Sequence, residues 1–322
     1  MDLMNPVLLV LRYLISIVGI IGNITLVVSI LSHSHMKTFE IFLLGLSFSN
    51  LEGIFLVSIF DITTRLALQS LEEWSFKILR FMASLGETAT IFFTVLISVF
   101  RYQKLRHAEA RGNLPTSWDN TSTAWALSGM SLFLSFCFCL PGYFIESDER
   151  VDNHTRSRNF LTDPFQCPRI NCPAINLIYK TLFLLFSNLI PLLIITATSG
   201  LILKVLLHRR KTVSDVYDSS HHHHQNLYFS KSTKTVLAAM CIFQLDWIMY
   251  LVLHLAFDSS KMDNWSEIEF FIVTTYTTIS PYVYGIGTNI FSCRQIVKVL
   301  SCLSFSACGL YRQHSMCAKW NQ

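Results

Sequence analysis

At 322 residues the chain is long enough for two soluble domains, yet only 14% of it is charged, 52% is hydrophobic and the mean hydropathy is +0.43. A soluble domain carries about 25% charged residues, so the polar surface is too small for two water-facing domains, and an all-α membrane protein is expected. The net charge of +4, with no basic low-complexity run, gives no footprint for nucleic acid.

Seven stretches reach the roughly 20 apolar residues that a helix needs to cross the hydrocarbon core. They are 7–31, 39–63, 78–100, 123–145, 177–207, 235–257 and 268–290, and only short loops separate them. No small-residue cleavage site closes the first, so it reads as a retained signal anchor. The division expected is a seven-transmembrane domain over 1–291 and a cytosolic tail over 292–322. In that tail Arg294 and Lys298 share one face of a short amphipathic helix on the inner membrane surface. Basic residues collect on one side: Lys37, Arg101 to Arg111, Lys204 to Lys234, and Arg294 to Lys319 hold fifteen of the 25. By the positive-inside bias that side is cytosolic, giving an outer N-terminus and an inner C-terminus.

The loops follow this topology. Cys167 and Cys172 fall on the large outer loop, where oxidation is permitted, whereas Cys293, Cys302, Cys308 and Cys317 lie in the reducing cytosol. Four Asn-x-Ser/Thr sequons occur. Those at Asn153 and Asn264 are on outer loops and can be glycosylated, while Asn23 is in a span and Asn120 on an inner loop. The run His221–His224 reads as part of a solvated inner loop rather than a metal site, and Gln225–Ser230 continues that loop.

The third span carries the most informative pattern. Arg80, Glu87, Thr94 and Arg101 stand at seven-residue steps, with Thr90 and Ser98 near the same line. At 3.6 residues per turn these form one polar stripe on an apolar helix, and polar groups at membrane depth face the bundle interior or a cavity. Arg80 and Arg101 can each reach an interface; Glu87 cannot. A snorkelling role for Arg101 and an interhelical hydrogen bond for Glu87 remain open beside a ligand role. Further intramembrane acids are Glu52 and Asp61 in span two and Asp246 in span six, with His254 two turns beyond it. That set suits a ligand pocket or a proton or cation path. Span five holds Asn188 and Pro191, and span seven runs Thr274 to Pro281 with Thr275 in the polar stretch. Hydroxyls beside a proline can offset the backbone bond it removes.

Several segments resemble the vomeronasal type-1 receptors, and most of all the fish olfactory receptors class A-related. They are Leu46-Ser47-Phe48-Ser49-Asn50, Leu96-Ile97-Ser98-Val99-Phe100-Arg101-Tyr102-Gln103, Thr278-Ile279-Ser280-Pro281-Tyr282-Val283 and Met36 to Leu44. The resemblance spans about 1–300. The third span ends Phe100-Arg101-Tyr102 rather than Asp-Arg-Tyr, and the seventh has Ser280-Pro281-Tyr282-Val283-Tyr284 rather than Asn-Pro-x-x-Tyr. The cysteine usual at the top of the third span is missing. The usual bridge therefore lacks one partner, and Cys167 and Cys172 are left as candidates to pair with each other.

The resemblance implies a chemosensory G-protein-coupled receptor of the plasma membrane, with bitter taste receptors as the neighbouring alternative. Its ligands would be small odorant or pheromone-like molecules, including organic acids and bile-salt-like compounds; its partners would be a heterotrimeric G protein and membrane lipids. No cofactor and no metal are expected. The ligand site is then expected at Arg80, Glu87, Thr90, Thr94, Asp61, Asn188, His254 and Thr275, with an anion at Arg80 and a hydroxyl or amine near Glu87. The G protein would meet Arg101, Lys104, Lys204, Arg209 and Lys234. A proton- or ion-coupled transporter competes with this reading, but seven spans and no readable inverted repeat weigh against it. An intramembrane hydrolase would need clustered metal ligands, and His254 is the one histidine clearly inside a span.

Overall fold

The structure, a computed structural model, describes residues 6–32, 35–66, 73–110, 120–144, 173–215, 223–256 and 265–287. These form seven helical spans. They are α1 (Pro6–Leu31), α2 (Thr38–Leu66), α3 (Glu73–Ala110), α4 (Thr121–Phe144), α5, α6 (His223–Ala256) and α7 (Trp265–Gly287). Within α5 the chain runs as α-helix over Ala174–Phe183, widens to a π-helical segment over Leu184–Leu189 and continues as α-helix over Ile190–Asp215. Six spans are long and apolar enough to cross a membrane by length and composition. The seventh has the length but is diluted by its Thr and Tyr run.

Two helix starts, those of α4 and α2, are capped by local side chains. Asn120 Oδ1 accepts the Ser122 N–H at 3.1 Å ahead of α4, so the unusable inner sequon serves as an N-cap. Glu40 accepts the Lys37 N–H at 2.9 Å in the first turn of α2. Both α3 and α6 outrun their apolar stretches into the inner side. His223 to Ser230, expected as loop, is the first part of α6. No Gly or Pro interrupts His223–Ala256, so nothing stops the hydrogen-bond ladder at the membrane surface.

α3 is central and packs on α2, α4 and α5, while α7 closes the ring against α1 and α6. The interior holds Leu26, Ile30, Phe42, Leu43, Leu46, Phe93, Phe243, Tyr276 and Tyr284, all essentially sealed. Apolar side chains also cover the outside, among them Ile21, Phe133, Leu193 and Leu245, as a lipid-facing surface requires. α4 turns its small residues inward: Ala124, Ser128, Ser131, Ser135 and Cys139 are buried. Small side chains let membrane helices approach closely. Gly86 of α3 lies against the backbone of α2: an added Cβ there would be 3.1 Å from both the Gly53 nitrogen and the Ser49 carbonyl oxygen.

The proposed tail helix, Cys167, Cys172, Asn153 and Asn264 lie outside the described residues, and so does the boundary near 291. Among the described residues Cys137, Cys139 and Cys241 are free thiols.

Candidate functional site

A cavity opens between α2, α3, α6 and α7. Its walls include Gly86, Glu87 and Thr90 of α3, Asp246, Trp247 and Tyr250 of α6, and Thr274, Tyr276 and Thr277 of α7. Ile54, Val57, Ile272 and Val273 add apolar surface. The helical period brings the α3 group together: residues 83, 86, 87 and 90 fall on one face at three- and four-residue steps. None of the lining residues is Lys, Arg or His. Asp246 Oδ2 and the Trp247 indole nitrogen are buried without a hydrogen-bond partner.

Directly inward of the cavity lies a sealed polar network. Asn23 of α1 donates from Nδ2 to the carbonyls of Gly19 at 2.9 Å and Thr277 at 3.0 Å. Asn50 of α2 donates to Asn23 Oδ1 at 3.1 Å and to Ser280 Oγ at 3.2 Å, and it accepts the Thr90 hydroxyl at 2.9 Å. Thr94 donates to the Thr90 carbonyl at 2.8 Å, and its hydroxyl stands 2.9 Å from that of Tyr276, which is 3.4 Å from the Tyr284 hydroxyl. Thr90 thus belongs to both cavity and network, while Thr94 belongs to the network alone. Phe243 packs edge-on to Tyr276 and against Trp247, whose ring meets Tyr250 at 4.9 Å. One aromatic row therefore joins the cavity wall to the network.

The other candidates are spread more widely. Arg80 is half-buried, does not line the cavity, and is already engaged by other protein groups. His254 is buried and meets Glu269 of α7 at 3.2 Å, with the Tyr250 ring 4.3 Å from its own. Asn188 is buried in the π-helical segment, and neither end of its amide has a partner. Thr275 donates to the Phe271 carbonyl of its own helix at 2.6 Å, and it is its neighbours Thr274 and Thr277 that line the cavity. Asp61 falls within α2, but its side chain is outside the described set.

Sequence reasoning passed over Glu269, Arg12 and the trio Asp246–Trp247–Tyr250 as one surface. Arg12 of α1 is buried, with its guanidinium 4.1 Å over the Phe270 ring. An apolar window average hides one arginine, but a search for every charged residue in a span would have found both Arg12 and Glu269.

At the inner ends Lys104, Lys204 and Lys234 are exposed on α3, α5 and α6. Arg101 is half-buried and lies 3.6 Å over the Phe39 ring of α2. Arg209 is in α5, with its side chain outside the described set.

Comparison with known proteins adds a family. The family model described as 7 transmembrane receptor (rhodopsin family) matches residues 22–284. The chain is similar to C-C chemokine receptor type 1 of Macaca fascicularis, 23% identical over 291 residues, covering 84% of this chain and 73% of that receptor. It is similar to galanin receptor type 1 of Mus musculus, 23% identical over 318 residues, covering 92% and 83%. It also matches C-C chemokine receptor type 3 of Cavia porcellus at 25% over 298 residues, covering 84% and 72%.

Proposed function

The chain belongs to the rhodopsin family of seven-transmembrane receptors, and from that premise we propose that it is a chemosensory receptor for small odorant or pheromone-like molecules. The protein is a multi-pass G-protein-coupled receptor of the plasma membrane and not an enzyme. Family membership sets the transporter reading aside.

The observation that carries the small-molecule reading is the cavity at Glu87, Thr90, Asp246 and Trp247, enclosed by four helices in the middle of the bundle. A ligand acts by binding one arrangement of the helices better than another. Contact with Trp247 reaches the aromatic row, and contact with Thr90 reaches the network that ties α1, α2, α3 and α7. The exposed cations Lys104, Lys204 and Lys234, with half-buried Arg101, would form a basic inner face for the heterotrimeric G protein, and Arg209 is assigned to it from the sequence alone. The resemblance to vomeronasal type-1 receptors, which supports this reading, rests on the motifs at 46–50, 96–103 and 278–283.

An organic acid, the ligand class that Arg80 points to, would have to extend out of the cavity to reach that guanidinium. Arg80→Ala should then raise its half-maximal concentration, by roughly 10- to 150-fold for a lost charge-assisted contact of about 1.5–3 kcal/mol. A second reading takes a ligand of the kind the relatives are named for, a C-C chemokine or galanin. Ligand-evoked calcium release in cells carrying a promiscuous G protein separates the two. Responses to small water-soluble molecules support the chemosensory reading. Responses confined to C-C chemokines or galanin, or none to any small molecule despite surface expression, would sink it.

A further inference from the structure

We propose that the cavity takes a protonated amine, an alkyl- or aryl-ammonium ion that sets its N–H groups between Glu87 and Asp246. The inference rests on the reading of this cavity as the ligand pocket. It reverses the ligand charge that the third-span arginines suggest.

Three observations converge on it. The cavity wall presents carboxyl groups from two different helices, α3 and α6, and no basic residue lines it. Among the described residues neither acid has a cationic side-chain partner, though the Tyr276 backbone N–H reaches Asp246. No described residue hydrogen-bonds Glu87, and Asp246 Oδ2 is buried without a partner. Other polar groups nearby are spoken for: Glu269 pairs with His254, and Arg80 is engaged elsewhere. The third observation is independent of the acids. Trp247 is 4% exposed, lines the same cavity, and its indole N–H has no acceptor. A buried donor left unpaired is destabilising, and a neutral oxygen on the ligand would relieve it.

The remaining wall selects an organic cation over an inorganic one. Trp247 and Tyr250 offer aromatic faces, which attract a cation within about 6 Å of the ring centre. Ile54, Val57, Ile272 and Val273 offer contact for hydrocarbon. Among the described residues no group of three or more His, Cys, Asp or Glu could hold a metal ion. Two carboxyl groups in a low-dielectric site resist joint ionisation unless a positive charge stands between them. An ammonium ion brings that charge and up to three donors. It would also bridge α3 to α6 beside Trp247.

The test is thermal unfolding of the purified full-length chain in detergent, which needs no G protein. The probes are a set of alkyl- and aryl-ammonium ions including 2-phenylethylamine, the matched alcohol 2-phenylethanol, the acid 3-phenylpropanoate, and sodium chloride. Amines should raise the unfolding midpoint saturably, while alcohol, acid and sodium do not. Glu87→Gln and Asp246→Asn should each raise the half-saturating amine concentration roughly 10- to 150-fold. Trp247→Phe, which puts a smaller aromatic face in place of the indole and removes the N–H, should weaken amines without an oxygen far less than either carboxyl substitution does. The proposal is overturned if no amine stabilises the wild type, if the acid or sodium stabilises it equally well, or if amine binding is indifferent to both carboxyl substitutions. Stabilisation by amines without calcium release in cells would instead count against the receptor's assigned ligand role and leave the binding site standing.

Discussion

The Asn50 side-chain amide donates to Asn23 Oδ1 at 3.1 Å, so α1 and α2 are joined by two asparagines deep in the apolar core. Asn50 spends its other donor on Ser280 and its acceptor on Thr90, and both asparagines are sealed from solvent. One planar amide thereby holds four helices at fixed spacing.

Removing that hub should cost more than removing one spoke. Asn50→Leu strands Asn23 Oδ1, Ser280 and Thr90 together, whereas Thr90→Val strands one Asn50 lone pair. At about 1–3 kcal/mol for each buried group left unpaired, Asn50→Leu should lower the unfolding midpoint by many degrees and Thr90→Val by only a few. Membrane hydrogen bonds average nearer 0.6 kcal/mol where partners can rearrange. Equal, small losses in the two variants would show that the network re-pairs around the gap.

Gly86 should tolerate no side chain. Its Cβ position is 3.1 Å from two backbone atoms of α2, which cannot swing aside as a side-chain tip can. Gly86→Val should force α3 from α2 and widen or collapse the cavity beside it, at about 1–3 kcal/mol for overpacking. Surface expression and unfolding midpoint check this. A variant as stable as the wild type would mean that the helices part more easily than their packing implies.

Phe39 should restrain Arg101. The guanidinium lies 3.6 Å over the ring, an attraction of about 0.5–2 kcal/mol. Phe39→Leu should raise ligand-independent nucleotide exchange while surface expression persists, and Phe39→Tyr, which keeps the ring, should behave as the wild type. Unchanged basal exchange in Phe39→Leu would relieve the ring of that role.

Asn153 should carry a glycan, because its sequon lies well inside the long segment between α4 and α5, on the side opposite the basic flanks. Asn153→Gln should therefore run faster on a gel, and glycosidase should erase the difference. Identical mobility with and without enzyme would remove the assignment.

The bundle was legible because hydropathy acts span by span. Seven apolar stretches and a helical period suffice to place Glu87 and Thr90 on one face of α3, and both line the cavity. Partners across helices were not legible. His254 was visible as a buried histidine, but its pairing with Glu269 depends on how α6 rotates against α7, which no single-helix pattern encodes. Thr275 was chosen from a run of threonines in which only phase distinguishes one from the next, and the phase favoured Thr274 and Thr277. The inner extension of α6 was missed for another reason. Hydropathy reports where lipid ends, while the helix ends only where its backbone ladder breaks.

The π-helical segment at Leu184–Leu189 changes how α5 must be counted. A wider turn holds one residue more than an α-turn, and each residue of an α-helix advances about 100°. The outer part of α5, Ala174–Phe183, is therefore rotated by about one residue's angle relative to what the spacing from Ile190–Asp215 would give. Two numbering frames meet at Asn188. Any residue-by-residue alignment with a receptor whose fifth helix lacks the extra residue needs a one-residue gap there. Without the gap, every outer position of that helix would be matched to a side chain facing the wrong neighbour.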